Sequence, residues 1–385
     1  MFQLHTATLE EIRAGKVTDV YFVRAKEAIE KAGFDKHVAA ELTASSLPGG
    51  YEWAIFAGVE EAVEALQGLD CDVDALPEGA VFYPGEPVMR LRGMYTSFGI
   101  YETALLGFLC QASGVATKSA RCRLAARDKP LISFGARRMH PSIGPMVERN
   151  AYVGGCDGFA VVKTSDLVGV PASGTMPHSL ILLAGEMPAA LRAFDETAEE
   201  GVPRVALIDT FDDEKFAAIE AAETLGDRLA AVRLDTPGSR KGDFEQLLRE
   251  VRWELDLRGY QHVKLFVSGG LDEEQMRHLN PVVDGYGVGT AISNAPVINF
   301  AMDIVEIEGR PMTKRGKLSG AKQPMRCDEG HHWIAPEAAG SACPECGASG
   351  STEMAPLTRA GRLVADLPSA QAIRDRVLAT LSRLG

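Results

Sequence analysis

The chain has 385 residues, 46% hydrophobic and 24% charged, which is material for a large core and a length that predicts two or three domains. Forty basic against fifty-three acidic residues leave a net charge of −13, which argues against nonspecific nucleic-acid or anionic-membrane binding but leaves room for a local basic pocket. No apolar run approaches the roughly 18–20 residues of a membrane span, the N-terminus lacks a signal-peptide pattern, and Cys71, Cys110, Cys122 and Cys156 read as reduced thiols of a cytoplasmic protein.

Residues 1–120 mix helix-like stretches, VYFVRAKEAIEKAG and VEEAVEALQGL, with the turn-rich alternation of VFYPGEPVMRLRG, and predict an α+β domain. From about 130 the texture changes. Apolar strands, KPLISFGA, DGFAVVKTS, PRVALIDT, LAAVRLDT, HVKLFVSGG and VVDGYGVGT, alternate with helical runs. In DFEQLLREVRWELDLRG, Phe244, Leu247, Leu248, Val251 and Leu255 share a face and Gly259 supplies a stop; in DDEKFAAIEAAETLG, Phe216, Ile219 and Leu225 share a face. This pattern predicts a parallel sheet covered by helices, a β/α barrel over 121–305, with an open doubly wound sheet as the alternative.

Each strand ends in a polar or glycine cluster: Arg137 and Arg138, Lys163 and Asp166, Asp209, Arg233 and Asp235, Ser268-Gly269-Gly270, and Gly287-Val288-Gly289-Thr290. Strand ends of this kind form a single functional ring at the C-terminal face of a barrel. The two glycine clusters turn backbone N–H groups toward an anion, which points to a phosphate. Arg233 and Asp235 leave the same strand face. In a phosphate pocket that aspartate needs a ribose hydroxyl or Mg²⁺; a plain ion pair is the alternative. Phe134 offers a flat apolar surface, and Arg137 and Arg138 suit a carboxylate or phosphate. Together these clusters predict a pocket for a sugar phosphate beside an aromatic acid.

The segment 306–385 has its own signal. Within RCDEGHHWIAPEAAGSACPECGASG, Cys343 and Cys346 form a C-x-x-C knuckle, and Cys327 with a histidine four or five residues on completes a three-Cys, one-His set suited to a structural Zn²⁺. His331 is preferred to His332 because Gly330 before it permits a tight turn. PSAQAIRDRVLATLSRLG then reads as a terminal amphipathic helix.

FGARR, VKTSD, GTMPHS, VRLDT, SGG and GYGVGT, with TDVYF near the N-terminus, stand in the order and spacing of the nicotinate phosphoribosyltransferases, and the chain resembles their short prokaryotic form. The resemblance implies an incomplete β/α barrel with an N-terminal α+β domain and, as in some short members, a small zinc knuckle. It implies a homodimer or higher oligomer in which a partner's Tyr21 and Phe134 sandwich the pyridine ring of nicotinate. Arg137 and Arg233 would then meet its carboxylate or the phosphates, and Asp235 ribose hydroxyls or Mg²⁺. Gly269, Gly270, Gly289 and Thr290 would bind the 5′-phosphate of phosphoribosyl pyrophosphate, and Lys163 and Asp166 would be further site residues.

His178, in SGTMPHSL, is by its residue pattern alone a histidine at a helix start. A neutral imidazole is also a competent nucleophile near pH 7. By resemblance it carries the phosphoryl group of an ATP-coupled reaction, with Ser173, Gly174 and Thr175 cradling the phosphate. His140 is the second candidate. The expected function is joining nicotinate to phosphoribosyl pyrophosphate in NAD salvage. The alternatives are the same chemistry on nicotinamide or quinolinate, or a non-catalytic ligand-sensing zinc-ribbon protein.

Overall fold

A computed structural model describes residues 4–384. The chain divides into two compact units, one from the N-terminus to Thr117 together with Pro296–Leu384, the other Lys118–Ala295. Among the described residues no helix is long and apolar enough to cross a membrane.

The first unit is built on a seven-stranded sheet. His37–Thr43 pairs antiparallel with Ala301–Ile307 on one side and with Pro87–Met94 on the other. Cys71–Ala75, Ala355–Arg359 and Arg362–Leu363 extend it, and Arg310–Pro311 forms the opposite edge. Leu42, Phe56, Leu66, Phe82, Met89, Leu91 and Phe98 are completely buried in its core. Glu41 is buried in this sheet, yet it is paired on both sides, to Arg90 at 3.1 Å and to Lys322 at 2.9 Å. That satisfies charges that would be costly alone. Lys322 opens a three-stranded ribbon, Lys322–Cys327 with His332–Pro336 and Gly350–Ser351. The terminal helix Ala370–Leu384 buries Ala370, Ile373, Val377 and Leu381, the stripe expected of an amphipathic helix.

The second unit holds six parallel strands: β1 (Leu131–Ser133), β2 (Gly158–Phe159), β3 (Arg204–Leu207), β4 (Leu229–Leu234), β5 (Lys264–Val267) and β6 (Gly285–Val288). Their spatial order is β2-β1-β6-β5-β4-β3, the cyclic order of a β/α barrel cut open between β2 and β3. The sheet curls but does not close, so the incomplete barrel is the observed fold and the open doubly wound sheet is not. Helices α1 (Gly144–Val153), α2 (His178–Ala184), α3 (Met187–Thr197), α4 (Glu214–Leu225), α5 (Phe244–Leu257) and α6 (Glu273–Leu279) connect the strands. The strands are buried almost throughout, as parallel strands covered by helices must be.

On α5 the buried residues are Leu248, Val251 and Leu255, within the expected stripe. On α4 the buried face differs from expectation. Ala217, Ala218, Ala221, Ala222 and Leu225 face inward, while Phe216 is 62% exposed. Helix α4 packs against both α3 and α5, and its alanines allow that close approach where a phenyl ring would not fit.

Candidate active site and metal centre

The C-terminal ends of β1, β4, β5 and β6 and the segment 174–179 line a cavity of about 750 Å³. It gathers groups far apart in sequence because parallel strands all deliver their ends to one side.

Phe134 follows β1, and the turn Ala136–Arg138 presents Arg137 and Arg138, both exposed, with no hydrogen bond from either guanidinium among the described residues. The Phe134 ring lies over Gly287, where a Cβ would sit 2.3 Å from it, and the Arg233 guanidinium stands 5.2 Å from its centroid. Gly287 is thus the clearance that lets the ring lie flat.

Arg233 is the penultimate residue of β4 and is held at three points. Its Nη1 donates to Thr175 Oγ1 at 2.7 Å, its Nε to Ser268 Oγ at 3.1 Å, and its Nη2 lies 3.5 Å from Asp235 Oδ2. Ser268 in turn donates to Asp235 Oδ1 at 2.9 Å. Burial pulls the Arg233 pKa below its usual value, against the raising effect of Asp235 and Asp209. Gly269 has φ +82°, and a Cβ there would come within 2.8 Å of Asp235 Oδ1. The loop can therefore close over that carboxylate only as glycine. Gly270, Gly289 and Thr290 complete this wall, and the Lys241 ammonium donates to the Gly269 carbonyl at 2.7 Å.

His178 is the first residue of α2, and its Nε2 lies 3.2 Å from Asp209 Oδ1 just beyond β3. The Asp209 side chain is 3% exposed, and burial raises its pKa, opposed chiefly by His178. An ionised Asp209 accepts a hydrogen bond from Nε2–H, the tautomer that leaves the lone pair on Nδ1. The sequence marks Asp209 only as a strand-end acid; the pairing with a histidine from a different loop gives it a candidate role. Glu148 on α1 also lines the cavity, a residue that no motif marked. It accepts from the Ala160 and Val161 N–H groups at 3.2 and 2.6 Å, and burial, more than these bonds offset, keeps its pKa raised.

Lys163 and Asp166 pair with each other at 2.8 Å on the surface and do not line the cavity. His140, exposed, accepts from the Ser142 N–H at 3.2 Å. Tyr21 belongs to the first unit, on the helix Val20–Ala32. It is 58% exposed, stacked at a tilt on Phe22, with its hydroxyl donating to Asp19 at 3.4 Å.

In the ribbon, Cys327, His331, Cys343 and Cys346 converge, all four ligand atoms within 4.8 Å of one another. Cys327 Sγ and Cys343 Sγ each lie 3.6 Å from His331 Nδ1, and Cys327 Sγ lies 3.8 Å from Cys346 Sγ. A tetrahedron with arms of about 2.3 Å to sulfur and about 2.1 Å to nitrogen has edges of about 3.8 and 3.6 Å. The residues fit a Zn²⁺ of that geometry. His331 Nε2 is 3.6 Å from Glu345, a carboxylate placed to orient the imidazole if it binds a metal. Burial opposes ionisation of Cys343, but backbone N–H groups of Cys346 and Glu345 outweigh it and bring the thiol to about 7. His332 instead stacks on Tyr83 with centroids 3.6 Å apart.

Comparison with known proteins agrees with this geometry. Residues 19–113 and 115–303 match the N-terminal and C-terminal domains of the family described as quinolinate phosphoribosyl transferase. A nicotinate phosphoribosyltransferase of Mycobacterium tuberculosis is 30% identical over 357 residues, covering 81% of this chain and 78% of that protein. The crystal structure of a nicotinate-nucleotide pyrophosphorylase from Pyrococcus furiosus superposes with a TM-score of 0.97 at 50% identity, over 100% of this chain and 99% of that one. Human nicotinic acid phosphoribosyltransferase shares the fold, with a TM-score of 0.78 at 21% identity over 95% and 94% of the two chains. The chain belongs to the type II phosphoribosyltransferase family, that of the nicotinate and quinolinate phosphoribosyltransferases.

Proposed function

We propose that this chain joins nicotinate to phosphoribosyl pyrophosphate, giving nicotinate mononucleotide and pyrophosphate for NAD salvage, and that it couples the reaction to ATP through a phosphorylated His178. The observation that carries the reading is one cavity holding the free guanidiniums of Arg137 and Arg138, the Asp235–Ser268 glycine wall and the His178–Asp209 pair.

In this reading the pyridine ring lies on Phe134 with its carboxylate toward Arg137, Arg138 or Arg233. Tyr21 of a second copy closes the opposite face, so the working unit is at least a dimer. The exposure of Tyr21 beside Val20, 57% exposed, leaves that helix surface available for such a role. Asp235 takes ribose hydroxyls, and the 268–270 and 287–290 loops take the 5′-phosphate. The pyridine nitrogen attacks C1 of the ribose as the bond to pyrophosphate breaks, through an oxocarbenium-like state that positioning and charge neutralisation stabilise. Asp235 has the oxygen chemistry to hold Mg²⁺, which neutralises the departing pyrophosphate when bound. Zn²⁺ in the Cys327–His331–Cys343–Cys346 set is structural, because all four positions are protein ligands.

The ATP step uses different atoms. The Nδ1 lone pair of His178 attacks the γ-phosphorus, the bond to the β–γ bridging oxygen breaks, and ADP leaves with that electron pair. Hydrolysis later forms an O–P bond from water, breaks the N–P bond, and returns its electrons to Nδ1.

A second reading, quinolinate as substrate, is favoured by the two unpartnered arginines, which suit a dicarboxylate, and by the matched family descriptions. Chromatographic resolution of products from phosphoribosyl pyrophosphate, Mg²⁺ and each pyridine acid separates the two. Nicotinate mononucleotide from nicotinate alone supports the proposal. The same product from quinolinate, with release of CO₂, establishes the second reading instead.

A further inference from the structure

Arg233 is shared between two loops that serve different steps. Its Nη1 reaches Thr175, three residues before His178, while its Nε and Nη2 reach Ser268 and Asp235 at the ribose-phosphate end. Among the described residues it is the side chain that hydrogen-bonds both the 173–178 segment and the Asp235–Ser268 pair. The segment between Thr175 and His178 has little slack. Met176 is 1% exposed, anchored in the core, and Pro177 fixes its own φ. A displacement at His178 therefore transmits to Thr175 more readily than through a flexible loop.

We propose that Thr175 is a positioning residue that couples the phosphorylation state of His178 to the ribose-phosphate site through Arg233. The inference rests on the phosphohistidine reading above. A phosphoryl group on His178 brings about two negative charges into the cavity that holds Arg233. A guanidinium offers five N–H donors, and three contacts here already share them. The new charge competes for the guanidinium, and its position sets how Ser268 and Asp235 are presented to ribose. The coupling is reciprocal, so ribose-phosphate binding must also alter the stability of the phosphohistidine. Among the described residues the Thr175 hydroxyl is the one side-chain acceptor that ties the histidine loop to this guanidinium, and a charge-assisted bond of this type corresponds to about tenfold in an equilibrium.

The test compares wild type, Thr175→Val, Thr175→Ser and Ser268→Ala. The last weakens the same connection at its other end, where the Asp235 contact remains, and keeps the test alive if the valine variant does not fold. The rate of nicotinate mononucleotide formation, the KM for phosphoribosyl pyrophosphate and the ATP hydrolysed per product are measured with and without ATP. The expected result for Thr175→Val and Ser268→Ala is ATP stimulation reduced about tenfold and ATP hydrolysed per product raised about tenfold. Thr175→Ser retains both wild-type ratios. Equal slowing with and without ATP, at wild-type stoichiometry, overturns the relay alone and makes Thr175 a structural contact. No ATP stimulation in the wild type overturns the phosphohistidine reading, and the relay with it.

Discussion

His178 Nε2 lies 3.2 Å from the carboxylate of Asp209, although 31 residues separate the two and they arise on different loops. The contact holds the imidazole by one nitrogen and leaves the other for chemistry. Asp209→Asn keeps the shape but removes the charge that selects this tautomer, and formation of the phosphohistidine should fall by at least about a hundredfold. The pH profile gives an independent check. Burial holds the Asp209 carboxyl above the usual aspartate range, so wild-type phosphorylation fails on the acid side at a higher pH than an ordinary aspartate would dictate. The Asn variant should lack that limb. A variant phosphorylated as fast as wild type removes Asp209 from the mechanism.

Gly287→Ala tests the platform. The added Cβ would stand 2.3 Å from the Phe134 ring and must displace it. Overpacking at a buried strand position costs about 1–3 kcal/mol of stability, and the KM for the pyridine acid should rise more than kcat falls. An unchanged KM would mean that the ring does not lie on Phe134.

The ribbon should bind one Zn²⁺ per chain. His331→Ala should lose the metal and lower the Tm, whereas His332→Ala should retain it, since His332 stacks on Tyr83 outside the ligand set. Metal analysis by mass spectrometry with thermal melts decides it. Chelation should lower the wild-type Tm and leave that of His331→Ala unchanged.

Glu102, in the first unit, gives a stability prediction of known sign. It borders a cavity of about 450 Å³, and burial first, then Asp303, raises its pKa to about 7 against the pull of Lys314. The folded pKa exceeds the unfolded one. The unfolded chain therefore gives up this proton first, and the folded state loses stability as pH rises from about 4.5 to about 7. Glu102→Gln should raise stability by on the order of 1 kcal/mol at pH 8, a figure discounted for partial exposure. It should make almost no difference at pH 4. Equal Tm values for the two proteins at pH 8 would contradict it.

Much of the candidate site is legible in the sequence because a parallel sheet converts chain order into spatial order. Apolar runs ending at Arg233, Asp235, Ser268 and Gly287 all deliver those ends to one cavity. The signal weakens where the strand stops early. DGFAVVKTS reads as one strand, yet β2 ends at Phe159; Val161 turns into the cavity while Val162 is 80% exposed, and Lys163 and Asp166 face solvent. A short apolar run does not reveal where its backbone pairing ends. The face of α4 is misread for a related reason, since hydrophobicity ranks Phe216 above alanine whereas close helix packing ranks by size. Pairings such as Ala301–Ile307 with His37–Thr43 are fixed by residues some 260 positions apart, and no local pattern encodes them. In the ribbon, by contrast, the Gly330 turn singles out His331, and Gly330 has φ +84°.

The most direct measurement follows the γ-phosphoryl group of labelled ATP on wild type and His178→Ala, then adds nicotinate with phosphoribosyl pyrophosphate and Mg²⁺. The account predicts an acid-labile label on the wild-type chain, absent from the variant, that is discharged as phosphate while nicotinate mononucleotide forms. A chain that makes the mononucleotide without ever carrying label, or carries label that the substrates do not discharge, would contradict it.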